Sequence, residues 1–343
     1  FTGALAVRVG FRPIMTAGAV FYILGLTFLA TATGTFGVTI GAGLLIGISL
    51  ACCGSAIANS VASRMVPASL RSTVLGLVSG GSSLGAMIAA PIGQSLQTSI
   101  DWRAGVFGFL ALSLVMLPAA WIAGRVDKVK LPPPAPGQPD ERSARAMTVT
   151  ALTHVPFIVM SVAYFVCGMQ LVFVSTHLPS YLDICGMDPM LSAQALGMIG
   201  AFNVLSGVFF GWAGNRWSKQ ALLGILYMSR SLVLAWFFSA PPTPTTTLAF
   251  AGMMGFLWLG VSPLIAGSVA EMFGLRWQAM IQGIAFSSHQ IGSFVGAFGG
   301  GLVYDVFGSY ELAWRFGVGL GLAAGAAQLA FAVMRPPPTA LAR

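Results

Sequence analysis

A chain of 343 residues that is 56% hydrophobic and only 8% charged cannot be a water-soluble domain, where about 25% charged residues is usual. With a mean hydropathy of +0.85, its solvent is lipid. The net charge of +8 does not point to nucleic acid, because the bases lie in short loops between apolar runs and form no stripe with aromatics.

The chain begins at Phe1, with no start Met and no signal peptide, so it is expected to begin inside an element. A short basic hairpin follows, GALAVRVGFRP from Gly3 to Pro13. Four apolar runs come next, at 14–32, 38–62, 74–96 and 104–123. Each reaches the length of about 20 residues that a spanning helix needs. Segment 124–147 is hydrophilic, contains PPPAPGQP, and is expected to be a flexible linker. Six further runs follow at 155–181, 191–213, 221–240, 248–270, 281–303 and 316–334. Ten spans are therefore expected in an all-α membrane protein. Of the four cysteines, Cys52, Cys53 and Cys167 fall in apolar runs, Cys185 does not, and none has CxxC spacing. Neither a disulfide framework nor a metal site is expected.

The chain repeats itself. The hairpin GWAGNRWSKQ (Gly211 to Gln220) echoes Gly3 to Pro13 at an offset of about 208 residues. Each copy has a Gly four residues before a short side chain (Val7, Asn215), then an Arg (Arg8, Arg216), then another base (Arg12, Lys219). Gly76 and Gly85 pair with Gly283 and Gly292, and Trp102-Arg103 with Trp314-Arg315. In the second copy two spans precede the hairpin; in the first none does. An intact protein of twelve spans, six plus six, is expected, with the first two absent here.

Alternate loops carry Arg8, Arg12, Arg64, Arg71, Arg125, Lys128, Lys130, Arg142, Arg145, Arg216, Lys219, Arg276, Arg335 and Arg343; the opposite loops carry Arg103 and Arg315. By the positive-inside rule the linker, both hairpins and the C-terminus are expected to face the cytoplasm. Glycines at 76, 80, 81 and 85, and at 292, 296, 299 and 300, form stripes that predict close helix crossings.

The hairpin pattern Gly-x-x-x-Asp-Arg-x-x-Arg between the second and third spans of each half resembles the signature of the major facilitator superfamily. Gly211, Asn215, Arg216 and Lys219 fit it; Gly3, Arg8, Gly10 and Arg12 fit it except that Val7 replaces the acid. The second half resembles the monocarboxylate and oxalate/formate branch in HLPSYLDICGMD (177–188), YMSRSLVLAWFF (227–238), MGFLWLGVSPL (254–264) and FSSHQIGSFVGAF (286–298). The resemblance implies two pseudo-symmetric bundles, 1–123 and 148–343, joined through 124–147. It implies a monomeric secondary transporter working by alternating access on a small organic anion, coupled to protons or a counter-anion. A drug or metabolite exporter of the same superfamily and a transport-dead receptor or scaffold are the alternatives. The eight hairpin residues form the expected gate.

The acidic residues fall in loops or at span ends, and Arg230 is the charged side chain at mid-span. A cation in lipid without a counter-ion is a functional candidate, and its planar fork suits a carboxylate. The resemblance puts Arg230 in the ninth span, which usually packs outside, so a purely structural role stands beside the substrate role. His289 and Gln290 lie at mid-depth, where His289 suits proton coupling or an interhelical hydrogen bond. Gln170, Asn203 and Trp258 complete the candidate substrate site; the resemblance places Gln170 and Trp258 on cavity-lining spans. His177 is a gate or a cap, and Asn59 and Ser60 are expected to hydrogen-bond between helices. Nothing resembles a phosphate loop, a nucleophile elbow or a metal cluster, so neither cofactor, metal nor catalytic residue is expected.

Overall fold

The computed structural model describes residues 1–131, 138–139 and 143–334, and all its secondary structure is helical. Arg142, Arg335 and Arg343, counted above for orientation, lie outside the described residues. The chain runs α1 (Thr2–Val9), α2 (Phe11–Ala30), α3 (Thr35–Val38), α4 (Ile46–Cys53), α5 (Ser55–Met65), α6 (Arg71–Ser99), α7 (Trp102–Ser113) and α8 (Met116–Ala123). It continues with α9 (Ala144–Thr153), α10 (Val155–Ile184), α11 (Pro189–Ala213), α12 (Lys219–Phe238), α13 (Pro244–Phe256), α14 (Val261–Phe273), α15 (Gln278–Phe307) and α16 (Glu311–Met334).

Nine helical segments among the described residues are long and apolar enough to cross a membrane. The remaining expected span, 281–303, lies within α15, a 30-residue helix. It is as long as the others but diluted by Ser, His, Gln and Gly. Three expected spans are interrupted rods. The second is α3, a π-helical stretch over Thr39–Leu45, then α4 and α5 broken at Gly54. The fourth is α7 and α8. The eighth run, 248–270, breaks between α13 and α14, and there the freed Gly260 N–H donates to Ser206 Oγ of α11 at 2.8 Å. A bilayer supplies no water for that amide, so a helical break survives only where a neighbour satisfies it.

The ends of the expected linker are packed. Val126 is buried in the core around Phe11 and Ile57, and Met147 in the core of the later helices. Asp127 caps α2: its two carboxylate oxygens accept from Phe11 N at 2.7 Å and Arg12 N at 2.9 Å. Gly10 makes room for this, because it has φ 97° and a Cβ there would stand 2.8 Å from Asp127 Oδ2. Asp127→Ala is expected to cost about 1 kcal/mol, the usual worth of an N-cap. A thermal melt of the purified protein checks this; an unchanged midpoint excludes the capping role.

The glycine stripes are used selectively. Gly292 and Gly296 press on the backbone of Phe165 and Met169 in α10, while Gly300 receives the His177 ring. Gly76 meets Gly207 and Gly211 of α11. At Gly81 and Gly85 a side chain would meet nothing within 4 Å. The stripe carries the contact only where the helices cross.

Candidate functional site

The centre of the later helices holds a polar cluster in an apolar surround. Arg230, on α12, is 0% exposed, so it does not face lipid. Its Nε donates to Gln170 Oε1 at 3.1 Å and its Nη1 to Cys167 Sγ at 3.3 Å, both on α10. Its guanidinium carbon stands 5.2 Å from the centre of the Tyr227 ring, one turn earlier on the same helix. Nη2 has no hydrogen-bond partner among the described residues, and neither has the buried Tyr227 hydroxyl. Gln170 is held by its amide, which donates to Ser231 Oγ at 3.0 Å and to the Gly317 carbonyl of α16 at 2.8 Å. A fixed carboxamide thus fixes one edge of the guanidinium fork.

Cys167 joins this pair to His289, since its thiol interacts with both Arg230 and His289. The His289 ring lies 4.5 Å from that of Tyr164, and its Nδ1 is 3.2 Å from Gln290 Oε1. Arg230 and His289 therefore flank one thiol, and Gln170 joins them through Arg230. Gln290 is exposed and touches the cluster through His289. Cys167, Tyr164, Tyr227 and Ser231 were not among the expected site residues. Cys167 and Ser231 read as ordinary small residues of apolar runs, and the one hint is that Cys167 lies three residues before Gln170, on the same helix face.

The other two candidates lie elsewhere. Trp258 sits in the break between α13 and α14 and packs on the apolar core. Asn203 is buried on α11, and its Oδ1 has no partner among the described residues. No described hydrogen bond or ring contact joins either to Arg230. His177 binds the Ala297 carbonyl of α15 through Nε2 at 2.9 Å, tying α10 to α15. Asn59 and Ser60 are fully buried but make no side-chain hydrogen bond among the described residues, against expectation.

The hairpins meet the opposite group of helices at the basic end of the bundle. Gly3 lies against the backbone of Ala279 and Met280 at the start of α15, and Gly211 against Ser72 and Gly76 of α6. Asn215, in the signature's acidic position, caps α6: its Oδ1 accepts from Ser72 N at 3.0 Å and its Nδ2 donates to Thr73 Oγ1 at 2.6 Å. Val7, the counterpart in the first copy, instead packs on the apolar core of the later helices. One crossing is latched by hydrogen bonds and the other by apolar contact. Arg64 Nη2 also crosses the seam, donating to the carbonyls of Leu275 and Arg276 at 2.9 and 3.0 Å. Lys219 pairs with Glu271 at 2.5 Å, Arg12 covers the Trp121 ring, and Arg8 and Arg216 are exposed, the latter over Trp212. Asn215→Ala removes the cap on α6 and is expected to destabilise this α6–α11 contact by about 1 kcal/mol, roughly fivefold in population. Spin-label distances between α6 and α11 at that end measure this; identical distributions exclude the latch.

The family model described as Major Facilitator Superfamily matches residues 1–297. Monocarboxylate transporter 13 of Rattus norvegicus is 24% identical over 316 residues, covering 90% of this chain and 70% of the relative. The sialic acid transporter NanX of Escherichia coli (strain K12) is 23% identical over 330 residues, covering 94% of this chain and 76% of that one. The solved fucose:proton symporter FucP of E. coli superposes with a TM-score of 0.71 at 17% identity, covering 97% of this chain and 86% of that one. A family match over most of the length, apolar helices throughout, and signature glycines at both crossings agree: the chain belongs to the major facilitator superfamily, as a multi-pass membrane transporter.

Proposed function

We propose that this protein is a secondary transporter of a small, monocarboxylate-like organic anion, moved by alternating access. Two lobes, 1–123 and 148–343, joined through 124–147, rock about a mid-depth site. The basic end is the cytoplasmic end, by the positive-inside rule, and the membrane is a bacterial-type inner (plasma) membrane, as the E. coli relative supports. One observation carries the substrate class. Arg230 is fully buried without an acidic partner among the described residues, and its Nη2 is unpaired. An uncompensated buried cation is costly, and a carboxylate reaching the unpaired Nη2 relieves that cost. The name of the rat relative supports the same class. His289, linked to Arg230 through Cys167, is the group suited to proton coupling. The hairpin residues from Gly3 to Arg12 and from Gly211 to Lys219 form the cytoplasmic gate.

The test is counterflow in proteoliposomes, preloaded in turn with carboxylates, cationic drugs and nucleosides. Exchange confined to carboxylates is the expected result. Exchange of drugs or nucleosides alone identifies an exporter, and no exchange at all a receptor or scaffold. Either outcome overturns the proposal.

A further inference from the structure

We propose that the anion is amphipathic: a monocarboxylate whose apolar tail lies in the crevice between α15 and α16 while its carboxylate meets Arg230. This rests on the reading of Arg230 as the anion site. Between those helices is a cavity of about 330 Å³, at the small end of ligand pockets. Its inner wall includes Gln170, Phe173, Leu234 and Gly317, all buried. Its mouth is Val295, Leu312 and Phe316, apolar and exposed on the outside of the bundle. In a bilayer such a mouth opens onto hydrocarbon.

Gln170 connects the crevice to the charge. It is the lining residue with a strongly polar side chain, and its Oε1 accepts from Arg230 Nε. The geometry of a guanidinium puts Nη2 on the same edge as Nε, so the unpaired nitrogen stands on the edge turned to Gln170. A carboxylate that displaces the Gln170 oxygen takes Nε and Nη2 together, a two-point fork. Whatever follows the carboxylate is then surrounded by apolar walls. A second charge or a row of hydroxyls would be buried there without partners, which disfavours dicarboxylates and sugars. Gly317 and Gly299 make the room: a Cβ at Gly317 would meet nothing within 4 Å, and at Gly299 only Val295 at 4.0 Å. At roughly 30 Å³ for each water-sized group, the space takes about ten of them, which sets a tail of about eight to ten carbons.

The experiment is competition against labelled octanoate binding by the full chain in lipid nanodiscs, free of detergent, using straight-chain acids from acetate to decanoate. Affinity is expected to rise about fourfold per added methylene and to level off near eight to ten carbons. Gly299→Leu, which fills the crevice without touching backbone, is expected to lower the octanoate-to-butyrate affinity ratio about tenfold. A flat series, with all acids competing, overturns the tail site while the Arg230 reading stands. Octanol competing as well as octanoate identifies a lipid groove and also overturns it. No competition by any acid overturns both.

Discussion

Arg230→Lys is expected to lower carboxylate uptake by between tenfold and a hundredfold while leaving a folded protein. Lysine keeps the charge at that position but offers a point cation in place of a planar fork. It cannot offer a carboxylate two parallel donors from two fixed nitrogens. The lost fork is worth about 1.5–3 kcal/mol, the range for hydrogen bonds to charged groups. Arg230→Met separates a site from a strut. A buried cation with an unpaired nitrogen is a cost to the fold, and losing it offsets the about 1–3 kcal/mol of leaving the Gln170 oxygen unpaired, so an apolar side chain of similar length is expected to lower thermal stability only slightly. Uptake by Arg230→Met is expected to vanish. If that variant melts well below the parent, or if Arg230→Lys transports normally, Arg230 is a structural residue and carries no cargo.

Gly292→Leu is expected to prevent accumulation of folded protein. A Cβ at Gly292 would stand 2.0 Å from the Phe165 carbonyl oxygen and 2.8 Å from its carbon. The obstacle is helix backbone, which has no rotamer to change. Relief requires α10 and α15 to separate along their length, where Gly168 and Gly296 make equally close approaches to backbone. Between helices in lipid no hydrophobic force restores the contact, since close packing is what holds the pair. The cost is expected to exceed the roughly 1–3 kcal/mol of ordinary overpacking. Gly85 is the matched control from the same repeat. It has open space around it, and Gly85→Ala is expected to be neutral or to add up to about 1 kcal/mol through helix propensity. Fluorescence-detected size exclusion with a heating series reads both variants. Equal behaviour of the two would show that the crossing tolerates separation.

The apolar cores were readable because a bilayer makes span formation a local matter. Every backbone group of a spanning helix is satisfied within about 20 residues, so an apolar run and its bounding bases suffice. The duplication was readable for the same reason: Gly3 and Gly211 recur with their bases, and both lie where the two groups of helices cross. Local sequence does not mark where a rod breaks. The α13–α14 interruption stands because Ser206, on a different helix, accepts from Gly260. Asp127 looked like one charge in a hydrophilic linker, yet it caps a helix 116 residues earlier in the chain.

Composition and period alone determined that this is a duplicated, all-helical membrane protein with a cation stranded at mid-span, because those properties depend on neighbours along the chain. Only the tertiary structure decided what surrounds Arg230. Its partners Cys167 and Gln170 come from a helix about 60 residues away, where each is one small or polar side chain among apolar ones. Packing brought the thiol, the carboxamide and the histidine together, and it left one nitrogen of the guanidinium unpaired. Partnership between helices is set by crossing angle and rotation about each axis, and neither is written in a helix's own residues.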